Sequence, residues 1–202
     1  MPDEDEGDNQ EPLAIDEETL FLPPGVHRLS LAEFRTMFVD DAPNSHHRQR
    51  LYRAFELYVE CLDELLPGAT LWIDGGFVSH KADPPFDIDV AALVEPAAWA
   101  SLVGELNAEM QVFGDWVDAG APGAPPKTPT LTKFSGLMTL QQVQHGSTRS
   151  FVPRVQPFGG MIDGFMIPTN QASMLAQFRQ DWMIDWGSGV EKGFVEVTPD
   201  GR

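Results

Sequence analysis

Asp87 and Asp89 are two carboxylates separated by a single residue at the start of an apolar run, residues 87–94. Alternate side chains of a β-strand share a face, so the spacing predicts that both carboxylates point to one side while Ile88 points to the other. Two neighbouring carboxylates repel each other unless a cation lies between them. Oxygen ligands of this kind suit Mg²⁺ or Mn²⁺, which bind through one or two carboxylates together with substrate phosphates.

A pair of glycines, Gly75 and Gly76, closes the preceding apolar run, and ten residues separate it from these aspartates. A glycine backbone can approach a phosphate closely, and N–H groups at a turn can donate hydrogen bonds to it. Lys81, in the connecting loop, could contact a phosphate as a point charge, although a loop lysine is more often solvated. The combination predicts a metal–triphosphate site, and the alternative is an inert turn or a decayed site.

Asp163 is the best candidate for a third carboxylate, because it interrupts the apolar segment 159–168. An ionised group inside such a strand is costly without a partner, and a two-metal displacement commonly uses a further ligand on an adjacent strand. Asp115 and Asp118 are weaker candidates, since the segment that carries them is less clearly buried. Asp74 could also reach the site, but an aspartate before two glycines more often caps the turn.

Hydrophobic spacing and turn residues predict the elements that must position these side chains. The clearest helix has apolar residues every three or four positions, and the shorter helix before it carries a capping box formed by Ser30 and Glu33. In chain order, the predicted helices begin near Leu31, at 46–66, at Pro96 and at Thr169 or Asn170. The predicted strands are 69–74, 87–94, 112–118, several short ones within 131–158, then 159–168 and 193–197. The Pro- and Gly-rich residues 119–130 predict a loop or a mobile flap.

The charge of the chain limits its partners. Its 202 residues carry a formal net charge of −18, and residues 1–19 hold nine acids and no Lys or Arg. This composition predicts a disordered acidic tail before a single α+β domain at 20–202, and such a tail either keeps the protein soluble or docks a basic partner. The remaining residues include 22 acids and 13 bases, so extended nucleic acids are disfavoured unless a local basic patch overrides the field.

Cysteine content and hydropathy limit the compartment. One cysteine, Cys61, excludes an internal disulfide and a thiolate metal cluster. The acidic N-terminus does not resemble a signal peptide, and no apolar stretch approaches the roughly 18 residues needed to cross a bilayer. These features predict a soluble, cytoplasmic protein with no membrane partner.

Other residues that could bind ligands have simpler explanations. His46 and His47 are adjacent, so they do not share a helical face and are best interpreted as surface residues. The basic residues in the first turns of helix 46–66 are explained by a solvated face, with phosphate binding as the minority interpretation; they are Arg48, Arg50 and Arg53. Triphosphate or acceptor contacts stay open for Arg149 and Arg154. Three tryptophans are predicted to lie in the core: Trp72, Trp99 and Trp182.

The segment IDGGFVSHKADPPFDIDV, residues 73–90, resembles the hG[GS]…Dh[DE]h signature of the nucleotidyltransferase superfamily, which includes DNA polymerase β and the aminoglycoside nucleotidyltransferases. The resemblance implies that Gly75 and Gly76 bind phosphate and that Asp87 and Asp89 bind metal, with Asp163 at the third acidic position. It also implies a mixed β-sheet with helices on one side, whose active edge is formed by these strands. Many active members carry serine where this chain has Gly76, so a hydroxyl ligand to phosphate is absent.

Two further segments, LPPGVH (22–27) and EKGFVEV (191–197), extend the resemblance over about residues 20–198. Together with the central motif they resemble a poorly characterised family of small bacterial and phage nucleotidyltransferase-like proteins. Small members of the superfamily often resemble one half of a toxin–antitoxin or phage-defence pair. The chain has no obvious separate domain that would recognise a base or an acceptor.

The resemblance implies a metal-dependent nucleotidyltransferase with Mg²⁺ or Mn²⁺ as cofactor. An acceptor hydroxyl would attack the α-phosphate of a nucleoside triphosphate, and pyrophosphate would leave. The acceptor stays open among a protein side chain, a small molecule and an RNA end. Two other hypotheses are a catalytically inactive protein of the same fold that acts through a protein partner, and a nucleotide hydrolase that uses the same carboxylates.

Overall fold

A mixed β-sheet runs through the centre of the protein in the computed structural model, which describes residues 13–137, 140–141, 154–155 and 157–199. Its strands are β1 (Gly25–Arg28), β2 (Thr70–Asp74), β3 (Ile88–Val94), β4 (Leu140–Gln141), β5 (Arg154–Val155), β6 (Ile162–Pro168) and β7 (Gly193–Val197). Their order across the sheet is β1-β7-β2-β3-β6-β5-β4. β1 and β7 are parallel, as are β3 and β6, and the other neighbours are antiparallel.

Helices and helical turns connect these strands. The helices are α1 (Leu31–Arg35), α2 (Ser45–Leu65), α3 (Pro96–Asp118), α4 (Pro129–Leu137), α5 (Pro157–Gly160) and α6 (Ala172–Trp182). A π-helical turn, Thr36–Asp40, continues α1, and a 3₁₀ turn, Gly76–Val78, follows β2. The predicted capping box is present, because Ser30 accepts from the backbone N–H of Glu33 while the Glu33 carboxylate accepts from that of Ser30.

Both faces of the sheet are covered. On one face, α2 packs Leu51, Phe55 and Tyr58 against strand residues such as Ile73 and Val90. A second apolar cluster covers the other face; its buried members are Trp72, Ala91, Phe165, Ile167, Phe178, Trp182 and Phe194. Each large apolar side chain buried in this way stabilises the fold by roughly 1.5–3 kcal/mol. The expectation of helices on one side of the sheet is therefore wrong, because α6 supplies the apolar face that buries the second side.

The predicted elements at 46–66, 69–74, 87–94 and 193–197 are confirmed to within a residue or two. The predicted strand at 112–118 is wrong, since these residues are the end of α3. Its apolar residues Val112, Phe113, Trp116 and Val117 have helical spacing, which a short window does not separate from a strand. Within 131–158, residues up to 137 belong to α4, strands form at 140–141 and 154–155, and 142–153 lie outside the described residues.

The N-terminal part of the chain is packed from its first described residue. Leu13 and Ile15 lie against the first apolar cluster, and Asp16 accepts the backbone N–H of Thr19 at 2.7 Å. Residues 13–19, which the composition assigns to a disordered tail, thus belong to the folded body, and residues 1–12 lie outside the described residues. The helices that the structure describes include none with the length and apolar character needed to span a membrane.

Candidate active site

Three aspartates lie side by side at one end of the sheet. Asp74 on β2 is the Cα partner of Asp89 on β3, and Asp89 is the partner of Asp163 on β6. Directly paired residues on neighbouring strands point to the same face, with Cβ atoms about 5 Å apart. We call these three residues the aspartate row. The sequence predicts Asp89 and Asp163 as ligands, and it favours Asp74 as a cap of the glycine turn.

The aspartate row faces α6 rather than α2. Residues two positions along a strand share its face, and Trp72, Ala91 and Phe165 stand two positions from the row on their strands and belong to the cluster under α6. Asp163 is 5% exposed and Asp74 is 7% exposed, while Asp89 is half-buried. The row therefore lies where the second core cluster ends and solvent begins.

Asp87 lies just outside the sheet. It precedes the first residue of β3, Ile88, and is half-buried. Ile88 is fully buried and its N–H donates to Met161 O at 3.0 Å, which fixes the start of β3 against the chain before β6. The structure thus brings Asp87 and Asp89 to the strand end that carries Asp163, although Asp87 lies one residue before the strand in which the spacing placed it.

The two glycines before the loop have different roles. Gly75 has φ +81° and ψ −164°, a region that is essentially restricted to glycine. A β-carbon at Gly75 would collide with Asp89 Oδ2, whereas one at Gly76 would lie 3.8 Å from Pro85 Cβ, an ordinary contact. The turn and the aspartate row are therefore in direct contact, and steric constraint falls on Gly75.

Lys192 provides a buried cation beside the row, which the sequence analysis did not anticipate. Its ammonium donates to Asp74 Oδ1, and the two side chains are 5% and 10% exposed. It also donates to the carbonyl of Trp182, at the end of α6, at 3.1 Å. Burying two charges is costly, and only their close pairing offsets the loss of hydration. Lys192 thus pairs with Asp74 at the end of the aspartate row that is nearest to β7.

Arg48 stabilises the glycine turn through hydrogen bonds to backbone carbonyls. The guanidinium is fully buried and donates four hydrogen bonds to backbone carbonyls; they belong to Phe38 (3.1 Å), Pro43 (2.8 Å), Phe77 (2.6 Å) and Ser79 (2.7 Å). Burial lowers the pKa of Arg48 to about 10. The interpretation of Arg48 as part of a solvated face is wrong. Its spacing of three from Leu51 and seven from Phe55 places it on the apolar face of α2, and that signal was present in the sequence.

The loop between the glycines and the aspartates is tied to its surroundings at several points. Lys81 donates to Asp185 Oδ1 at 3.2 Å, and its ammonium lies 4.4 Å from the centre of the Phe21 ring. His47 Nε2 lies 2.7 Å from Pro85 O and is half-buried, so its assignment to the surface is only partly right. Burial raises the pKa of Asp185, but hydrogen bonds from Ser188 and Lys81 outweigh burial and leave that pKa below its ordinary value.

Residues 13–198 match a protein family of unknown function, DUF6932. The chain belongs to the DUF6932 family. No curated protein and no solved structure matches it. The DUF6932 match begins at the first described residue and ends one residue after β7, so it includes the aspartate row, the glycine turn and Lys192. The DUF6932 family has no assigned activity, so the residues of the site are the guide to function.

The donor set of this DUF6932 protein suits a hard divalent cation by its chemistry. Asp87, Asp89 and Asp163 offer carboxylate oxygens at one strand end. Within the described residues, no group of three or more His, Cys, Asp or Glu side chains is arranged to hold a metal ion. Mg²⁺ keeps several waters and uses one or two protein carboxylates together with substrate phosphates, so a preformed three-ligand group is not a requirement.

The remaining predicted residues lie away from this strand end or outside the described part of the DUF6932 chain. Asp115 and Asp118 are exposed at the end of α3, so neither is a third ligand on the sheet. Arg149 lies outside the described residues, and Arg154 begins β5. The tryptophan predictions are confirmed for Trp72 and Trp182, which are buried, and partly for Trp99, which is half-buried against the first cluster.

Proposed function

We propose that this DUF6932 protein is a metal-dependent nucleotidyltransferase, which transfers a nucleoside monophosphate from a nucleoside triphosphate to an acceptor hydroxyl. The observation that carries the proposal is the pairing of Asp89 with Asp163 across β3 and β6, with the Gly75 turn packed on the Asp89 carboxylate. The glycine turn contacts the aspartate row, and this contact supports the resemblance of residues 73–90 to nucleotidyltransferases. In such a site the phosphates and the metal ligands have to lie close together.

In the proposed enzyme, aspartates hold the cations and the glycine turn binds the triphosphate. Asp87 and Asp89 hold a divalent cation, Mg²⁺ or Mn²⁺, and Asp163 completes a second cation site and orients the acceptor hydroxyl. The backbone N–H groups of Gly75 and Gly76 donate to the triphosphate. The cations supply charge stabilisation at the phosphates, and the chain supplies positioning. Lys81 would contact the triphosphate only after its ammonium leaves Asp185.

The bond changes follow from this arrangement. The acceptor oxygen forms a bond to the α-phosphorus, the bond from that phosphorus to the bridging oxygen breaks, and pyrophosphate leaves. The hydroxyl proton passes to solvent or to the Asp163 carboxylate, which lies on the same strand end as Asp89. The acidic surface favours a protein side chain, a small molecule or an RNA end as acceptor over extended nucleic acid.

The first experiment uses purified protein, Mg²⁺ or Mn²⁺, each α-labelled nucleoside triphosphate and cell extract. The native protein is expected to label a macromolecule or a small acceptor. Asp89→Asn and Asp163→Asn are each expected to reduce labelling at least about a hundredfold, because a charge that binds the metal is removed. Asp83→Asn is the matched control, since Asp83 is an exposed aspartate in the loop between the glycine turn and β3, and it is expected to label like the native protein.

Other outcomes separate the alternatives. Release of nucleoside monophosphate without a labelled acceptor would indicate a hydrolase. Metal-dependent triphosphate binding without turnover, measured by calorimetry, would indicate a binding protein of the same fold. Absence of both transfer and metal-dependent binding in a protein with a native circular dichroism spectrum would overturn the proposal.

A further inference from the structure

A cavity of about 880 Å³ lies between the N-terminal segment 13–20 and the unit formed by α1 and its π-helical turn. Its apolar wall includes Leu13, Ile15, Leu20, Leu29 and Met37. A volume of this size is in the range of sites that hold small organic molecules. None of its lining residues belongs to the aspartate row or to the glycine turn, so this cavity is separate from the proposed catalytic site.

The walls of this cavity are held in place by His80. The backbone N–H of His80 donates to Leu20 O at 2.9 Å, which fixes the N-terminal segment. Its ring nitrogen Nε2 lies 2.9 Å from Met37 O in the π-helical turn. One residue thus links both walls, so the cavity is formed before a ligand arrives and binding costs little ordering of the chain.

The acidic residues that line the cavity are not matched by lysine or arginine among the described lining residues. These acids are Glu17, Glu33 and Asp41. Glu33 is hydrogen-bonded to Ser30, whereas the carboxylates of Glu17 and Asp41 make no hydrogen bond or ion pair with the described part of the chain. An acidic rim attracts a cation and repels an anion such as a triphosphate.

Residues 1–12 of the chain are poorly suited by composition to occupy this cavity. Residues 1–12 contain six acids, and Met1 is their one large apolar side chain. An apolar wall is stabilised by apolar surface, and an acidic rim is destabilised by further negative charge. A second copy of a chain with net charge −18 is disfavoured at this rim for the same reason.

We propose that this cavity binds an organic cation with an apolar body, such as an amine on an alkyl or aromatic group. The apolar body lies on the wall formed by Leu13, Leu29 and Met37, and the cationic group lies at the rim with Glu17 and Asp41. The site is independent of nucleotide transfer, so failure of either proposal leaves the other standing.

The test measures displacement of the neutral fluorophore N-phenyl-1-naphthylamine by decylamine, decanol and decanoate, which share one alkyl chain and differ in head-group charge. Decylamine is expected to bind at least about tenfold more tightly than decanoate. In the double variant Glu17→Gln/Asp41→Asn this preference is expected to fall to about threefold or less. The control Glu18→Gln/Asp40→Asn removes the same charges one residue away, outside the lining of the cavity, and is expected to keep the preference.

A second variant tests the place of binding. Ala32→Trp adds a large side chain at a residue that lines the cavity, and it is expected to abolish binding of the fluorophore while the circular dichroism spectrum stays native. Equal affinity for the three head groups would overturn the proposal. So would a preference for decylamine that survives in Glu17→Gln/Asp41→Asn, or binding that survives in Ala32→Trp.

Discussion

The carboxylate of Asp89 occupies the space that a side chain at position 75 would need. Gly75→Ala is therefore expected to destabilise the protein by about 2–4 kcal/mol, since the new β-carbon adds a collision to a backbone conformation that is costly for other residues. Gly76→Ala is the matched control and is expected to change the free energy of unfolding by less than about 1 kcal/mol. Urea denaturation compares the two, and equal effects would show that the contact with Asp89 is not the constraint.

Arg48 is expected to contribute strongly to the stability of the fold. Arg48→Met removes four hydrogen bonds to backbone carbonyls, three of them buried, and is expected to cost about 3–5 kcal/mol of unfolding free energy. Arg48→Lys keeps the charge but lacks the planar set of donors, so it is also expected to destabilise the protein. The control Arg53→Met changes an exposed residue of the same helix, with an expected effect within about 0.5 kcal/mol. A stable Arg48→Met variant would contradict a supporting role for this residue.

Asp74 and Lys192 are expected to be strongly coupled. Asp74→Asn and Lys192→Met each leave an uncompensated charge in a buried site, with an expected cost of about 3–5 kcal/mol. The double variant is expected to cost less than the sum, with an interaction energy of about 1–3 kcal/mol. The exposed pair Lys133–Glu64, whose side chains are 55% and 60% exposed, serves as the reference cycle, and its interaction energy is expected below about 1 kcal/mol. Additive effects at Asp74 and Lys192 would contradict the pairing.

Tyr58 is expected to tolerate loss of its hydroxyl. This side chain is fully buried and its hydroxyl makes no hydrogen bond with the described part of the chain, and burial raises its pKa. Tyr58→Phe is therefore expected to leave the free energy of unfolding unchanged or to raise it by about 1 kcal/mol. Tyr52→Phe removes a hydroxyl that donates to Leu31 O at 3.4 Å, and thermal unfolding is expected to show a lower midpoint for that variant. A marked loss of stability in Tyr58→Phe would show that its hydroxyl has a partner.

The salt bridge of Asp185 gives a pH dependence with a defined sign. Its pKa in the folded protein lies below the ordinary value of 3.8, so its contribution to stability is complete above that pH and is lost as pH falls through the folded-state pKa. The midpoint difference between the native protein and Asp185→Asn is expected to be constant near neutral pH and to shrink below about pH 4. Ser188→Ala removes one donor to this carboxylate and is expected to show a smaller change. A difference that does not vary with pH would contradict the lowered pKa.

The sequence predicts the local parts of this fold well and the long-range parts poorly. The Ser30 capping box and β7 follow from patterns within a few residues, and both are present. The pairing of Asp89 with Asp163 depends on a parallel register between strands that are far apart in the chain, and alternation along one strand does not set that register. Lys192 and Asp74 are separated by 118 residues, so no local pattern joins them.

The predictions for Arg48 and for residues 112–118 are wrong for a different reason. Arg48 and residues 112–118 both have the spacing of an amphipathic helix, but residue type favours a different interpretation of each. A cation is usually interpreted as solvated, and a short apolar run is usually interpreted as a strand. Burial of a cation is decided by whether backbone carbonyls surround it, and this depends on the path of the loop after Gly75. The position of the residue along its helix is visible in the sequence, but the carbonyls that receive its hydrogen bonds are not.

The last described strand to leave the ribosome is an inner strand, because β7 lies between β1 and β2. Until Lys192 and β7 have emerged, β2 has an open edge and Asp74 has no cation beside it. The nascent chain therefore carries an incomplete sheet until β7 has been made, and pairings over such long separations form slowly. The sheet is closed between β1 and β2 only after β7 has emerged, and until then the exposed edge of β2 is the surface that chaperones would need to protect.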